Sequence, residues 1–171
     1  MDNGFAQTTA LGFSRLGESH IKGAMAAFRR AMVIEPAQAI GSYGAGFCEL
    51  RASNWRDATR LLSWAAKAVH RETPTRVSAE IHIALGHCRK SRGLGAGGRR
   101  CFRRATVVEP ANAQIYYNHS NCLEGLAGDG FGPRLAKWAV TLAPGSANHW
   151  NNLGRSLPVE AAAGASMIPY R

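Results

Sequence analysis

A small residue recurs along this chain at nearly constant intervals, and this internal period constrains the fold more than any other feature. The positions are Gly12, Gly46, Gly86, Ser120 and Gly154, so the spacings are 34, 40, 34 and 34 residues. Intervals of this size lie close to a period known for repeat proteins, in which each unit buries its apolar face on its neighbours. The longer interval contains about six additional residues around Pro74, at 73–78.

Four further columns keep the same register as these small residues. They are Ala24, Ala58, Gly98, Gly132 and Ser166; Phe28, Leu62, Phe102, Ala136 and Tyr170; Ala31, Ala65, Ala105 and Ala139; and Pro36, His70, Pro110 and Pro144. Apolar residues at helical spacing, as in Phe28-Ala31-Met32, predict helices. Proline disfavours helix in the preceding residue, so Glu35-Pro36 and Glu109-Pro110 mark breaks between units. Each unit is therefore predicted to be two helices joined by a turn.

These columns resemble the motif of the tetratricopeptide repeat family. The Leu-Gly pair of that family appears as Leu11-Gly12, Leu85-Gly86 and Leu153-Gly154, with Ala45-Gly46 as a variant. Its Ala-x3-Phe-x2-Ala segment appears as Ala24, Phe28 and Ala31, and again as Gly98, Phe102 and Ala105. The large aromatic residue three positions before Leu appears only as Trp150, and as Tyr116 before His119. His119-Ser120 departs from Leu-Gly, and Gly98 and Gly132 replace Ala, which we expect to weaken the second helices of units three and four.

The resemblance covers about residues 5–171 and implies an all-α fold, an α-solenoid of about four complete helix pairs and a truncated fifth, wound into a right-handed superhelix. The expected organisation is an N-terminal tail at 1–4, units at 5–38 and 39–72, an insertion at 73–78, units at 79–112 and 113–146, and a partial unit at 147–171. Because the fifth unit stops halfway, we expect a piece of a longer repeat protein or a truncated reading frame. Its apolar end at Met167-Ile168 would favour self-association.

The resemblance also implies a concave groove lined by the first helix of each unit. The family's groove positions correspond here to Phe13, Tyr43, Phe47, His87, Tyr117, Asn121, Asn151 and Arg155. The N-terminal half of this set is aromatic and the C-terminal half is polar, a combination suited to an extended peptide backbone. The alternative is that Phe13 and Phe47 simply pack between helices.

Asn118 and Asn152 lie two residues before the small-residue column in units four and five. They resemble the asparagine ladder in the repeat region of O-linked N-acetylglucosamine transferases, where Asn side chains hold the substrate backbone. Units one to three have Ala10, Gly44 and Ala84 at this place, so a ladder would only begin at the C-terminal end.

Motifs that could carry chemistry have simpler explanations in the repeat register. The G-x-G-x-x-G match at 93–98 follows a predicted helix rather than a strand, which favours a turn over a dinucleotide site. Cys48, Cys88 and Cys122 share one packing column with Ser14 and Ser156, and His82 and His87 do not lie on one helical face. We therefore predict no catalytic residue, no metal site and no cofactor.

Charge sets this chain apart from an average globular protein, with 21 Lys and Arg against 11 Asp and Glu and a formal charge of +10. Arg pairs occur at 29–30, 99–100 and 103–104, and two of them are expected at equivalent places on the outward side of the second helices of units one and three. The pairs are either solvated or form a patch for nucleic acid or an acidic surface. No apolar run approaches the roughly 20 residues of a membrane helix, and no secretory signal opens the chain. A cytoplasmic location is expected.

Our leading interpretation is a non-catalytic protein–protein interaction scaffold that binds an extended peptide or a partner helix in the groove. One alternative is the substrate-recruiting segment of a larger glycosyltransferase or similar transferase, motivated by Asn118, Asn152 and the abrupt end. The other alternative is a solenoid that binds RNA or an acidic surface, motivated by the net charge.

Overall fold

The computed structural model describes residues 3–69, 76–123 and 131–157. Within these ranges the chain forms nine α-helices and no strand, which confirms the predicted all-α class. The helices are α1 (Asn3–Gly17), α2 (Ile21–Ile34), α3 (Ala39–Arg51), α4 (Trp55–Val69), α5 (Arg76–Ser91), α6 (Gly95–Val108), α7 (Ala113–Leu123), α8 (Phe131–Leu142) and α9 (Ala147–Ser156). We call α1, α3, α5, α7 and α9 the first helices, and α2, α4, α6 and α8 the second helices.

Turns inside the first three helix pairs share one backbone design. Ser19, Ser53 and Gly93 occupy equivalent places and have positive φ angles of 60°, 60° and 73°. At each turn the N–H of this residue bonds the carbonyl three residues earlier, and the next N–H bonds the carbonyl five residues earlier. This is the Schellman arrangement, which satisfies the last carbonyls of the first helix. The glycine-rich segment at 93–98, predicted to be a turn, is a helix-terminating turn only at 93–94, and α6 already begins at Gly95.

The breaks between later pairs are held by aromatic side chains. The Tyr116 hydroxyl donates a hydrogen bond to the Pro110 carbonyl at 2.9 Å, and Trp150 Nε1 donates to the Pro144 carbonyl at 2.8 Å. Both bonds join the aromatic residue of a first helix to the proline six residues before it, so the same repeat position ties the inter-unit turn to the helix that follows.

Helix packing follows the repeat. Each helix contacts the next along the chain, and each first helix also contacts the first helix of the next pair. The second helices make no comparable contacts with one another in the described ranges. Because one layer is in closer contact than the other, the stack curves with its first helices on the inner side. This is the predicted solenoid.

Close helix approach explains three members of the small-residue column. A Cβ atom added to Gly12 would lie 2.7 Å from Phe28, one added to Gly86 would lie 2.7 Å from Phe102, and one added to Gly46 would lie 2.8 Å from Leu62. These distances are shorter than real carbon contacts, so the fully buried second-helix side chains require glycine opposite them.

The apolar core is a series of clusters rather than one centre. The largest lies around α4 and α5, with Leu62, Val69, Ile81 and Leu85 among its members. A second joins α2 to α3 around Phe28, and a third joins α5, α6 and α7. This layered burial is how a solenoid is stabilised.

Two helices begin earlier than the sequence indicates. α1 begins at Asn3, inside the expected tail, and the Thr8 hydroxyl bonds the Gly4 carbonyl in its first turns. α5 begins at Arg76, inside the expected insertion, where Arg76 pairs with Glu80 at 3.4 Å one turn later. The expected second helix of unit five and the Met167-Ile168 end lie outside the described residues. No described helix has the length and apolar character needed to cross a membrane.

Candidate functional site

The N-terminal part of the predicted groove is built on the buried phenylalanines of the second helices. The Phe13 ring meets Phe28 edge-on at 5.0 Å between centroids, and Phe13 remains 42% exposed. His87 occupies the equivalent place in unit three and meets Phe102 edge-on at 5.6 Å. Burial, and then the charge of Lys90, lowers the pKa of His87, so its imidazole is neutral at pH 7. Each of these first-helix rings thus packs on the core and stays partly exposed.

Tyr43 and Phe47 form the aromatic centre of the groove. Their rings lie 6.2 Å apart on α3, and both side chains are half-buried. The Tyr43 hydroxyl donates a hydrogen bond to Glu80 Oε2 on α5 at 3.2 Å. Burial, and then the nearby Glu80 carboxylate, raises the pKa of Tyr43 well above its ordinary value, so the hydroxyl stays protonated.

Glu80 belongs to a charged chain that the sequence analysis did not single out. Arg76 Nε lies 3.4 Å from Glu80 Oε1 and 3.8 Å from Glu109 Oε1 at the end of α6. Tyr43, Glu80, Arg76 and Glu109 therefore connect α3, α5 and the residue after α6 along one edge of the groove. The i,i+4 spacing of Arg76 and Glu80 was the available signal, but the link to Tyr43 spans 37 residues.

The C-terminal part of the predicted groove carries Tyr117 and polar residues. The Tyr117 ring lies 5.3 Å from that of His149, which joins α7 to α9. Asn121 is half-buried, whereas Asn151 and Arg155 are exposed on α9. Of the eight predicted groove residues, Tyr43 and Phe47 make direct ring contact with each other, while the others are spread along the first helices as a strip.

Asn118 and Asn152 lie below the groove surface. Each is only 5% exposed, and Gln114 Nε2 donates a hydrogen bond to Asn118 Oδ1 at 3.2 Å. The same position is also buried at Gly44 and Ala84, where a small residue fits between helices, whereas Ala10 on α1 is exposed. In this arrangement neither amide is accessible to a peptide in the groove.

Five buried polar atoms on α7 and α9 have no hydrogen-bond partner in the described structure. They are both ring nitrogens of His119, Asn121 Oδ1, His149 Nδ1 and Asn152 Nδ2. A buried polar atom without a partner costs roughly 1–3 kcal/mol. These two helices therefore contain buried hydrogen-bonding groups that the described structure does not use.

The cysteines behave as packing residues. Cys48, Cys88, Cys101 and Cys122 are all buried and reduced. Burial is the main cause that raises the pKa of Cys48 and of Cys88 to about 11, so both thiols are protonated at pH 7. Over the described ranges, no three His, Cys, Asp or Glu side chains lie close enough to hold a metal ion.

Solved structures similar to this chain include helical repeat proteins of several kinds. A MamA structure from Desulfovibrio magneticus RS-1 has a TM-score of 0.83 and 13% identity, and the match covers 97% of this chain and 90% of that chain. YrrB, described as a TPR protein with an unusual peptide-binding site, has a TM-score of 0.75 and 15% identity, with 94% and 79% covered. An O-GlcNAc transferase mutant from Thermobaculum terrenum has a TM-score of 0.70 and 18% identity, with 81% of this chain and 26% of that chain covered.

Sequence comparison adds nothing to this likeness. No protein-family profile matches the chain, and no curated protein sequence matches it. At identities of 13–18%, the structural matches establish a shared fold, while residue roles must be argued from this chain itself.

Proposed function

We propose that this chain, whose fold is that of tetratricopeptide repeat proteins, is a non-catalytic interaction module that binds an extended peptide or a partner helix along its first helices. One observation carries the proposal: Phe13, Tyr43, Phe47 and Tyr117 are partly exposed rings on the inner helix layer. Each ring has a solvent-facing side that a partner segment would cover.

Rigid rings and exposed polar groups both favour binding along this strip. Rings held by the core lose little conformational entropy when a partner covers them. The free energy gained by burying their apolar area is therefore not offset by the entropy cost of ordering side chains. At the other end of the strip, Asn151 and Arg155 are exposed and can bond a backbone carbonyl or a carboxylate. A peptide with apolar side chains at one end and polar groups at the other would match both halves. YrrB, which shares the fold, is described as having a peptide-binding site.

Selection from a random twelve-residue peptide library displayed on phage tests this proposal. Peptides selected on the wild-type chain should bind the Asn151→Ala/Arg155→Ala variant at least tenfold more weakly, because one or two charge-assisted or amide hydrogen bonds are lost. Phe47→Ala should have a similar effect through lost contact area. Asn151 and Arg155 are exposed, so this double variant retains its fold.

The matched control is Arg60→Ala/Lys137→Ala, which removes exposed side chains from the second helices α4 and α8. Its affinity for the selected peptides should equal that of the wild-type chain. If groove and control variants bind alike, or if selection enriches no peptide, the proposal is wrong.

A second candidate is that the module recruits substrates for a larger transferase. It is favoured by the match to the T. terrenum O-GlcNAc transferase mutant, in which this fold accounts for about a quarter of the chain. The intact mass of the natural protein in its own cell extract distinguishes the two. A mass well above 18.3 kDa supports the recruiting role, and a mass near 18.3 kDa contradicts it.

A further inference from the structure

A cleft on the outer side of the solenoid differs from its equivalents elsewhere in the chain. It lies between the second helices α6 and α8, with α7 as its floor, and has a volume of about 610 Å³. Its lining divides into an apolar group, Val107, Leu123, Phe131 and Leu135, and a polar group, Arg99, Arg100, Arg103, Thr106 and His119. No acidic residue is among the described residues that line it.

The position of Leu123 shows why this cleft is open. Equivalent places in α1 and α5 hold Arg15 and Arg89, which donate hydrogen bonds to the carbonyls of Gly23 at 3.1 Å and Gly97 at 3.3 Å on the following second helix. The equivalent of Gly97 in the fourth pair is Phe131. Leu123 cannot donate such a bond, so the arginine that spans the gap in two other units is replaced by an apolar surface.

His119 is a second departure from the repeat at the same place. The equivalent residues in α3 and α5 are Ala45 and Leu85, which are apolar. His119 is 8% exposed, lines the cleft, and neither of its ring nitrogens has a hydrogen-bond partner among the residues that the structure describes. An imidazole whose two nitrogens are both unpaired is costly to bury, so its presence needs an explanation beyond packing.

The charge around His119 is positive. Burial, and then the charges of Arg99 and Arg103, lowers the pKa of His119 to about 4. The imidazole is therefore neutral at pH 7, with one nitrogen that donates and one that accepts. Arg100 and Arg103 are exposed at the rim of the cleft. In unit one, by contrast, Arg29 at the place of Arg103 lies 3.9 Å from Glu49, which stands at the place of Leu123.

We propose that this cleft, distinct from the groove, is a second docking site that binds a segment of a partner protein carrying carboxylates next to a large apolar side chain. The arginine rim would bind the carboxylates through charge-assisted hydrogen bonds. The apolar side chain would cover Phe131 and the apolar floor at Leu123, next to the buried His119. Nucleic acid fits less well, because a phosphate backbone gains nothing from the apolar floor.

Fluorescence anisotropy with the full chain tests this site. The probe is a fluorescein-labelled octapeptide in which pairs of acidic residues alternate with leucine and phenylalanine. One comparison peptide has the acids replaced by their amides, another has leucine and phenylalanine replaced by alanine, and a labelled twelve-nucleotide oligo-dT serves as the nucleic acid. We expect saturable binding of the acidic apolar octapeptide and at least tenfold weaker binding of both comparison peptides.

Variants then locate the binding. Arg100→Gln/Arg103→Gln should weaken it about tenfold or more, because charge-assisted bonds are lost. Leu123→Arg recreates the arrangement of α1 and α5 and should weaken octapeptide binding, although it adds a positive charge. Phe131→Ala should also weaken the binding, and because Phe131 is exposed this variant should fold normally. Arg30→Gln/Arg60→Gln removes the same charge from exposed second-helix positions and should leave the affinity within about twofold of wild type.

Three results would overturn the proposal. The first is no saturable octapeptide binding up to about 1 mM, the weak limit of specific affinity. The second is an equal loss of octapeptide affinity in the two arginine double variants, which would mean that the peptide is attracted diffusely to a basic surface. The third is binding of oligo-dT that is tighter than that of the octapeptide and is unchanged by Leu123→Arg and Phe131→Ala. Asn151→Ala/Arg155→Ala should leave the octapeptide affinity unchanged. A negative result for the cleft would therefore not contradict the proposed binding of peptides in the groove.

Discussion

At the scale of single residues, the turns inside the helix pairs show how one backbone geometry is met by different side chains. Ser19, Ser53 and Gly93 all have φ near +60° to +73°, a region that costs a residue with a Cβ atom more than it costs glycine. The first two turns therefore hold a small strain that the third avoids.

This difference predicts that Ser53→Gly raises the free energy of unfolding by about 0.5–1 kcal/mol, since glycine is the preferred residue of the Schellman turn. Gly93→Ser should lower it by a similar amount. Urea denaturation followed by circular dichroism measures both changes, and shifts in the same direction for the two substitutions would contradict the strain argument.

Glycines in the helices are also of two kinds. Gly86 faces the Phe102 ring, whereas a Cβ atom on Gly132 would have Leu123 Cβ, at 3.9 Å, as its nearest neighbour. Gly86→Ala should therefore destabilise the chain by about 1–3 kcal/mol through overpacking. Gly132→Ala should change the stability by less than about 1 kcal/mol, because the better helix propensity of alanine is offset by the cost of a Cβ atom directly before Pro133. Thermal unfolding of the two variants beside wild type measures both changes in stability. An equal loss of stability in the two variants would contradict the distinction between the two glycines.

His119 predicts an acid-sensitive stability. Its pKa is about 4 when folded and near 6.5 when unfolded, so the unfolded state binds more protons between these values. The contribution of neutral His119 to the free energy of unfolding is fully present above pH 6.5 and is lost as the pH falls toward 4. The loss between pH 7.5 and pH 5 should be about 2 kcal/mol. His119→Leu, with the residue of the equivalent position in α5, should flatten this part of the stability–pH curve. An unchanged slope in that variant would contradict the assignment.

At the scale of helices, residue type and register predicted most of what was found. The helix pairs, the turn at 93–94 and the buried phenylalanines follow from local pattern, because helical periodicity and turn chemistry act over a few residues. Gly98 shows the limit of this reasoning. It was expected only to weaken its helix, but its Cβ would lie 3.0 Å from Cys122 Sγ on α7. Contacts made by a third helix are not visible in a local pattern.

The outer cleft was missed for the same reason. Departures from the motif at His119 were visible, but their meaning depended on Leu123 failing to reach the following helix as Arg15 and Arg89 do. Similarly, the half-burial of the groove rings was predictable from register, whereas the burial of Asn118 and Asn152 depended on how closely neighbouring first helices approach. A comparison among repeats of one chain becomes informative only when their contacts are known.

The link between α3 and α5 predicts a measurable coupling between helices. Tyr43 donates to Glu80 at 3.2 Å in a partly buried place, while Arg76 is largely exposed and adds little. A double-mutant cycle with Tyr43→Phe and Glu80→Gln should give a coupling free energy of about 0.5–1.5 kcal/mol. Thr59→Val, which removes a hydroxyl bonded within its own helix, should show no coupling to Glu80→Gln. A coupling near zero for Tyr43 would mean the bond adds nothing to helix packing.

At the scale of the whole molecule, uneven burial should appear as uneven local stability. The eleven-residue cluster around α4 and α5 is the largest among the described residues, whereas α1 contributes only the half-buried Leu16, at the edge of the second cluster. In a solenoid each unit is stabilised by its own helices and by its immediate neighbours, so segments with fewer buried contacts open more easily.

Hydrogen exchange followed by mass spectrometry measures this distribution. We expect the slowest amide exchange in α4 and α5, and exchange in α1 at least tenfold faster, since opening α1 exposes only its own packing on α2 and α3. Leu62→Ala should remove the protection of α4 and α5 while changing α1 far less, because a cavity in one layer is transmitted mainly to the next. Uniform protection along the chain, lost everywhere at once in Leu62→Ala, would mean that the molecule unfolds as a single cooperative core and not as a stack of units.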